Sequence, residues 1–385
     1  MTTEPTETAE PTMHPVPIEA QAGAPPAGLT TAVAAMMRES SIPGLSIAVV
    51  DRDRVRFAGG FGLADRQRTR PATASTAYLW FSMTKVVTAT TALTLVDNGR
   101  LDLDAPAGEY VDCLQVPGRS QPTVRQLLTH TAGLGNPLPV RWAHPADADP
   151  PDPRDLLRRL MHRRRAYRYP VGDSARYSNV GYLAIGEVIA AAAGLTFEAA
   201  VRQTVLHPLA MNRTGFAVPA GTDTATGYVK APRIADPLLR RLLPPGVAGK
   251  RHGSFLPLNP FSVDGPAYGG LVGDVLDAGR FLRLHLRDGE LDGARVLRQQ
   301  TARAMRVIDH PGRPFDHGIG WFRRPRNGNH AGPGNYVEHF GTGAGFWNVM
   351  RLYPDQGVGI VVMTNGTRSY NFEPLFGLLA AQGRE

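Results

Sequence analysis

The sequence predicts a single antiparallel sheet flanked by helices and closed by both ends of the chain, with an all-helical subdomain inserted between them. Three observations carry this. Ile47-Ala48-Val49-Val50 begins a β pattern that continues around Val55–Phe57, with Asp51-Arg52 as the turn of an antiparallel hairpin. Near the other end, Phe346–Tyr353 and Val358–Met363 repeat the pattern around Pro354-Asp355-Gln356-Gly357. Between these hairpins the apolar spacing is helical.

In chain order, residues 1–28 are rich in Thr, Pro, Ala and Glu, with no basic start and no apolar run. They read as a disordered tail, neither a signal peptide nor a membrane anchor. Leu29–Glu39 has helical periodicity. From Ser82 onward Val86, Val87, Thr90, Leu93 and Val96 recur near helical spacing, and Asn98-Gly99 ends the run. Gln126–Thr129 is a short helical piece, Asp155–His162 a third helix, and Asn179–Ala193 a fourth, stopped by Gly194. Pro232–Gly265, rich in Pro, Gly and Arg, lacks clear periodicity and reads as a long loop beside the site. Leu375–Ala381 reads as a terminal helix. The sheet subdomain is thus expected at about 29–79 and 266–385, and the helical one at about 80–265.

Bulk properties narrow the function. With 385 residues, the chain has room for two subdomains sharing one active site. Hydrophobic content of 42% and charged content of 20% are those of an ordinary globular protein. No stretch reaches the length of a membrane-spanning apolar run. The single cysteine, Cys113, excludes an intramolecular disulfide and reads as inert; a reducing compartment, by default the cytoplasm, is the simplest expectation. The eleven histidines include no H-E-x-x-H, and no G-x-S-x-G, G-x-G-x-x-G or Walker-type loop occurs. No metal and no cofactor are expected. Lys and Arg outnumber Asp and Glu by 42 to 34. Seven arginines fall in Arg154–Arg168, which reads as a solvated helix face rather than as a nucleic-acid surface.

The chemistry centres on Phe81-Ser82-Met83-Thr84-Lys85. A serine and a lysine three residues apart at the start of a helix share one face, about a turn apart. A serine hydroxyl needs a partner to remove its proton, and a lysine can serve if its pKa is lowered. Ser82 is the only serine followed by a lysine at the third position. Arg176-Tyr177-Ser178-Asn179 holds the only Y-x-N. Beside a lysine ammonium, Tyr177 is expected to ionise more easily and to relay the proton, and the Asn179 amide can bond both the lysine and a substrate carbonyl. Val337-Glu338-His339-Phe340-Gly341-Thr342-Gly343 supplies a glycine-rich edge strand whose backbone can approach a ligand. An oxyanion hole is expected from the N–H groups of Ser82 and Thr342, with His339 in the pocket wall.

These three pieces, in this order, resemble the active-site motifs of the class C β-lactamase and penicillin-binding-protein superfamily of serine hydrolases: S-x-x-K, then Y-x-N, then K-T-G or H-x-G. The resemblance runs from about residue 29 to 380, through Pro43–Val50, Leu101-Asp102-Leu103-Asp104, Gln126–Leu134, Gly269-Gly270-Leu271 and Gly318-Ile319-Gly320-Trp321. It implies an α/β sheet domain beside a helical domain, with the site in the cleft between. It makes Ser82 the nucleophile, Lys85 and Tyr177 the general base and acid, and Asn179 a substrate-orienting residue. Where β-lactamases of this type carry Lys and Thr, this chain has His339 and Phe340. A largely neutral histidine suits a substrate carboxylate poorly, so penicillin hydrolysis and D,D-peptidase activity are disfavoured.

The expected function is an acyl-enzyme serine hydrolase acting on an ester or amide of a small to medium acyl group. The alternatives are an acyltransferase or peptide cyclase on a thioester, a β-lactamase or D,D-peptidase, and, outside enzymes, an acylated sensor. Tyr268 is placed at the pocket, His130 in a loop-stabilising role, and Trp321 and Trp347 in the core.

Overall fold

The computed structural model describes residues 23–115, 121–137, 142–162, 166–218, 222–325, 335–367 and 370–381. Most of the expected tail and Arg163, Arg164 and Arg165 of the arginine run lie outside the described residues.

The main sheet holds β1 (Gly44–Val50), β2 (Val55–Asp65), β3 (Arg70–Pro71), β4 (Asp316–His317), β5 (Phe322–Arg323), β6 (Val337–Gly343), β7 (Phe346–Tyr353) and β8 (Val358–Thr364). Their order is β4-β5-β6-β7-β8-β1-β2-β3, each neighbour antiparallel. The two hairpins read from the sequence meet where β8 pairs with β1, Ile47 opposite Val362. All seven residues of β1 are buried, because both faces of the sheet are covered. Leu45, Ile47 and Val49 pack with the helices Leu29–Ser40 and Glu373–Ala381, while Ala48 and Val50 face the helix Val275–Leu286. Each Ile or Val fully buried there contributes roughly 1.5–3 kcal/mol. A one-residue slip would exchange the two faces, so the pattern fixes the register.

The middle of the chain builds on two helices, Thr84–Asp97 and Asn179–Ala193, each buried at most positions. The second is apolar nearly all round, and the first buries threonines whose hydroxyls, at Thr88, Thr90 and Thr94, donate to carbonyls one turn back. They stop where expected, the first at Asn98 with Gly99 at φ 68° and the second at Gly194 with φ 60°. This stretch also carries two-stranded ribbons, Ala143–Pro145 with Phe261–Val263 and Tyr228–Lys230 with Phe255–Pro257. Pro232–Gly265 is accordingly not the loop expected: it holds the helix Asp236–Leu242 and two of those strands. Its strands are three residues long, too short for an alternation to register. Among the described residues no single helix is long and apolar enough to cross a membrane.

Candidate active site

Ser82 is positioned by contacts that arrive from three directions. Tyr78–Leu79 pairs with Val272–Gly273, Trp80 N–H donates to Leu271 O at 2.8 Å, and the buried Asn348 amide of β7 donates to Leu79 O at 2.7 Å. The chain then turns through the 3-10 segment Phe81–Met83 into the helix Thr84–Asp97. Phe81 pays for this turn with φ 47°, a left-handed conformation costing roughly 1–3 kcal/mol for a non-glycine residue. Its ring packs against Phe261 and Phe346, with centroids 6.3 and 6.0 Å away, which holds the strain in place.

The glycines of β6 serve this turn. A Cβ on Gly341 would lie 2.0 Å from Trp80 O, and one on Gly343 would lie 2.1 Å from the Phe81 ring. They let the Ser82 turn sit on the sheet, with Thr342 between them in the wall of the Ser82 cavity. β6 pairs with β5 only where Glu338 stands opposite Phe322, whereas β7 pairs along its whole length, so the glycine-rich end has a ladder partner on the β7 side alone. Gly341→Ala should push the turn away and lower kcat/KM about 100-fold, the usual cost of moving a reacting group by about 1 Å. Gly377→Ala, where a Cβ meets nothing within 4 Å, is the matched control and should leave rates unchanged. Equal rates for the two variants would refute the seating role.

Around Ser82 Oγ the expected partners converge. Lys85 Nζ lies 3.0 Å away, and Tyr177 OH donates to it at 2.7 Å. Lys85 Nζ also donates to Asn179 Oδ1 at 2.8 Å and to Tyr268 O at 2.9 Å. The rings of Tyr177, Tyr182 and Tyr268 surround this nitrogen at 4.8, 5.6 and 5.3 Å from their centroids. Fully buried with no carboxylate beside it, Lys85 is held well below the ordinary lysine pKa by desolvation. Desolvation also pushes the Tyr177 phenol above its usual value. Burial therefore disfavours the charged form of both groups, and the raised Tyr177 pKa runs against the expectation that it ionises more easily. A neutral amine has two N–H donors and one lone pair. Asn179 and Tyr268 take both donors, so the lone pair faces the Ser82 hydroxyl.

Tyr177 is held by its neighbours. The His130 ring lies 4.7 Å from the Tyr177 ring, and His130 Nδ1 accepts from Ser178 N–H at 3.2 Å. Asn179 N–H donates to Asn136 Oδ1 at 3.0 Å. His317 and His339 each stand 6.2 Å from the Tyr177 ring. Burial, before any nearby charge, keeps all three histidines below their usual range, His317 at about 4. His339 is 1% exposed, and its Nδ1 lies 2.7 Å from Phe340 O, which assigns the proton to Nδ1.

A cavity of about 490 Å³ opens beside Ser82, with Tyr177, Asn179, His339, Phe340 and Thr342 in its wall. The sequence placed those residues there and missed the rest. Phe315 stacks on Phe322 at 4.3 Å, Phe322 lies 4.5 Å from His339, and Phe340, Trp347, Tyr370 and Phe372 extend the aromatic wall. Trp347, expected in the core, lines this cavity, because on β7 it stands opposite Thr342. Trp321 is fully buried as expected. Tyr268 is not in the cavity wall: its ring backs Lys85 and its carbonyl supplies the contact. The arginines Arg154, Arg158, Arg159 and Arg168 are exposed, and Cys113 is half-buried with its thiol pushed up by burial. Among the described residues no group of three or more His, Cys, Asp or Glu could hold a metal ion.

Against known proteins, residues 29–382 match the Beta-lactamase family. A beta-lactamase of Pseudomonas fluorescens is 24% identical over 86% of this chain and 90% of its own. Esterase EstB of Burkholderia gladioli is 32% identical over 47% of this chain and 48% of its own. The octameric penicillin-binding protein homologue from Pyrococcus abyssi superposes with a TM-score of 0.73 at 25% identity, over 92% of this chain and 76% of that one.

Proposed function

This chain belongs to the beta-lactamase family and is a serine hydrolase, and we propose that it cleaves uncharged esters or amides carrying an apolar group, through an acyl-enzyme on Ser82. The observation that carries this reading is the hydrogen-bonded set of Ser82, Lys85, Tyr177 and Asn179 at the mouth of an aromatic cavity.

In acylation, Ser82 Oγ attacks the carbonyl carbon and its proton passes to Lys85 Nζ. The N–H groups of Ser82 and Thr342 receive the developing oxyanion. As the carbon–oxygen or carbon–nitrogen bond breaks, Tyr177 gives its proton to the leaving atom and recovers one from Lys85. Water then repeats the sequence: it attacks the ester carbon, its proton passes to the Tyr177–Lys85 pair, and Ser82 leaves with a proton. Asn179 orients the substrate while fixing Lys85. No charge has to survive in the buried site between turnovers, which fits a burial that disfavours the charged form of both partners.

The neutral His339 and the phenyl wall at Phe340 and Phe322 argue against a carboxylate-bearing substrate. A carboxylate held against His339 lacks a charge-assisted hydrogen bond of about 1.5–3 kcal/mol. Of the two arginines in the cavity wall, Arg351 is committed to Glu338 and Glu373, which leaves Arg324 as the cation a charged substrate could reach. A fluorophosphonate should therefore add to Ser82 by mass, and a neutral p-nitrophenyl ester should exceed benzylpenicillin in kcat/KM by roughly 10- to 100-fold or more. A folded protein that takes no adduct at Ser82, or that prefers the penicillin, defeats the proposal.

A further inference from the structure

Far from the chemistry, one surface segment breaks the usual rule for exposed side chains. Residues 233–242 comprise the 3-10 turn Arg233–Ala235 and the helix Asp236–Leu242. Ile234, Leu238 and Leu242 are 89%, 59% and 43% exposed. Spaced four apart, they form one apolar row on solvent. Across residues 230–251 the sequence carries six cations, Lys230, Arg233, Arg240, Arg241, Lys250 and Arg251, against the single acid Asp236, which pairs with Arg251. Arg240 donates to Ala248 O and Gly249 O, and the Asp236–Arg251 pair ties the helix start to the same loop, so the helix is anchored by its polar side while the row faces outward.

An apolar row bordered by cations on a short helix matches an anionic lipid surface: the leucines enter the acyl boundary and the cations meet the headgroup charge. The position agrees. Tyr370 walls both the Ser82 cavity and a smaller one of about 120 Å³ that also holds Lys230. Lys230 in turn borders a cleft of about 380 Å³ with Arg233. Through the shared wall residues Tyr370 and Lys230, the cleft beside Arg233 and the Ser82 cavity both neighbour the 120 Å³ cavity. We infer that residues 233–242 dock this protein on the surface of an anionic phospholipid bilayer. The inference stands apart from the proposed hydrolysis, and its test does not use activity as the readout.

The full-length protein would be sedimented with vesicles of phosphatidylcholine alone and of phosphatidylcholine with an equal share of phosphatidylglycerol. It should bind the anionic vesicles and leave the neutral ones, with binding reversed by high salt. The variant Ile234→Ser/Leu238→Ser/Leu242→Ser should lose more than tenfold in affinity. Arg233→Gln/Lys250→Gln should lose about fivefold per charge removed. All these positions are exposed, so unchanged circular dichroism and an unchanged rate on a soluble ester would verify the fold. Equal binding to both vesicles, failure of the wild type to bind, or triple-variant binding at wild-type strength each overturns the inference. So does a wild-type dimer that the triple variant converts to monomer, since the row would then be an interface between two copies.

Discussion

Ser82→Ala will lower kcat/KM on a neutral ester by roughly four orders of magnitude, and Lys85→Met by a comparable factor. The double variant will be no worse than either alone. The reason is geometric. Lys85 has one lone pair, both its N–H groups are committed to Asn179 Oδ1 and Tyr268 O, and Ser82 Oγ stands at 3.0 Å on the remaining side. Without the hydroxyl the amine has nothing to deprotonate; without the amine the hydroxyl has no acceptor. Groups that act as one unit give non-additive losses. The pH profile supplies a second readout. Activity needs the unprotonated amine, so the rate falls as pH drops through the Lys85 pKa, which burial has placed well below the usual 10.5. The wild type should reach its plateau well below pH 10.5. A rate still climbing between pH 9 and 10, or a Lys85→Met variant near wild-type rate, would remove Lys85 from the chemistry.

How much of this the sequence revealed follows from what each signal depends on. The hairpins around Asp51-Arg52 and Pro354–Gly357 were legible because their side chains repeat locally, and the pairing of β1 with β8 followed from having both termini β-patterned. Ser82, Lys85, Tyr177 and Asn179 were legible as motifs, and the structure joins them in one chain of hydrogen bonds running Tyr177–Ser82–Lys85–Asn179. The aromatic wall was not, because Phe315, Phe322, Trp347 and Phe372 are distant in sequence and meet only when β5, β6 and β7 align. The surroundings of Lys85 were illegible for the same reason. An ammonium beside Tyr177 is what the motif suggests, but the three tyrosine rings that dry Lys85 out become neighbours only in the fold. The helix Asp236–Leu242 escaped because periodicity was sought as a buried face, and here the regular row points outward.

Arg351→Met should prove the most destabilising single change at the cavity floor, by about 3–5 kcal/mol. Arg351 is 1% exposed on β7, and it donates to Glu338 Oε2 through Nε at 2.8 Å and Nη2 at 2.6 Å. It also binds Glu373 at 2.6 and 2.9 Å, which ties the C-terminal helix Glu373–Ala381 to the sheet. Its guanidinium lies between the Tyr336 and Phe376 rings, 4.2 and 4.3 Å from their centroids. The methionine keeps much of that packing and removes the charge, so the loss measures the Glu338 carboxylate left buried and unpaired. Burial already raises the Glu338 pKa, and without Arg351 the shift grows. A group whose folded pKa is raised costs stability as pH rises through that pKa, so the variant should be weakest at pH 8 and partly recover toward pH 5. Glu338→Gln/Arg351→Met, with no charge to strand, should regain most of the loss at pH 8. Urea midpoints for the three proteins at both pH values decide it. If the single variant falls equally at pH 5 and pH 8, or the double variant is no better, the ring packing around Arg351 rather than its charge holds the C-terminal helix, and the ion-pair account fails.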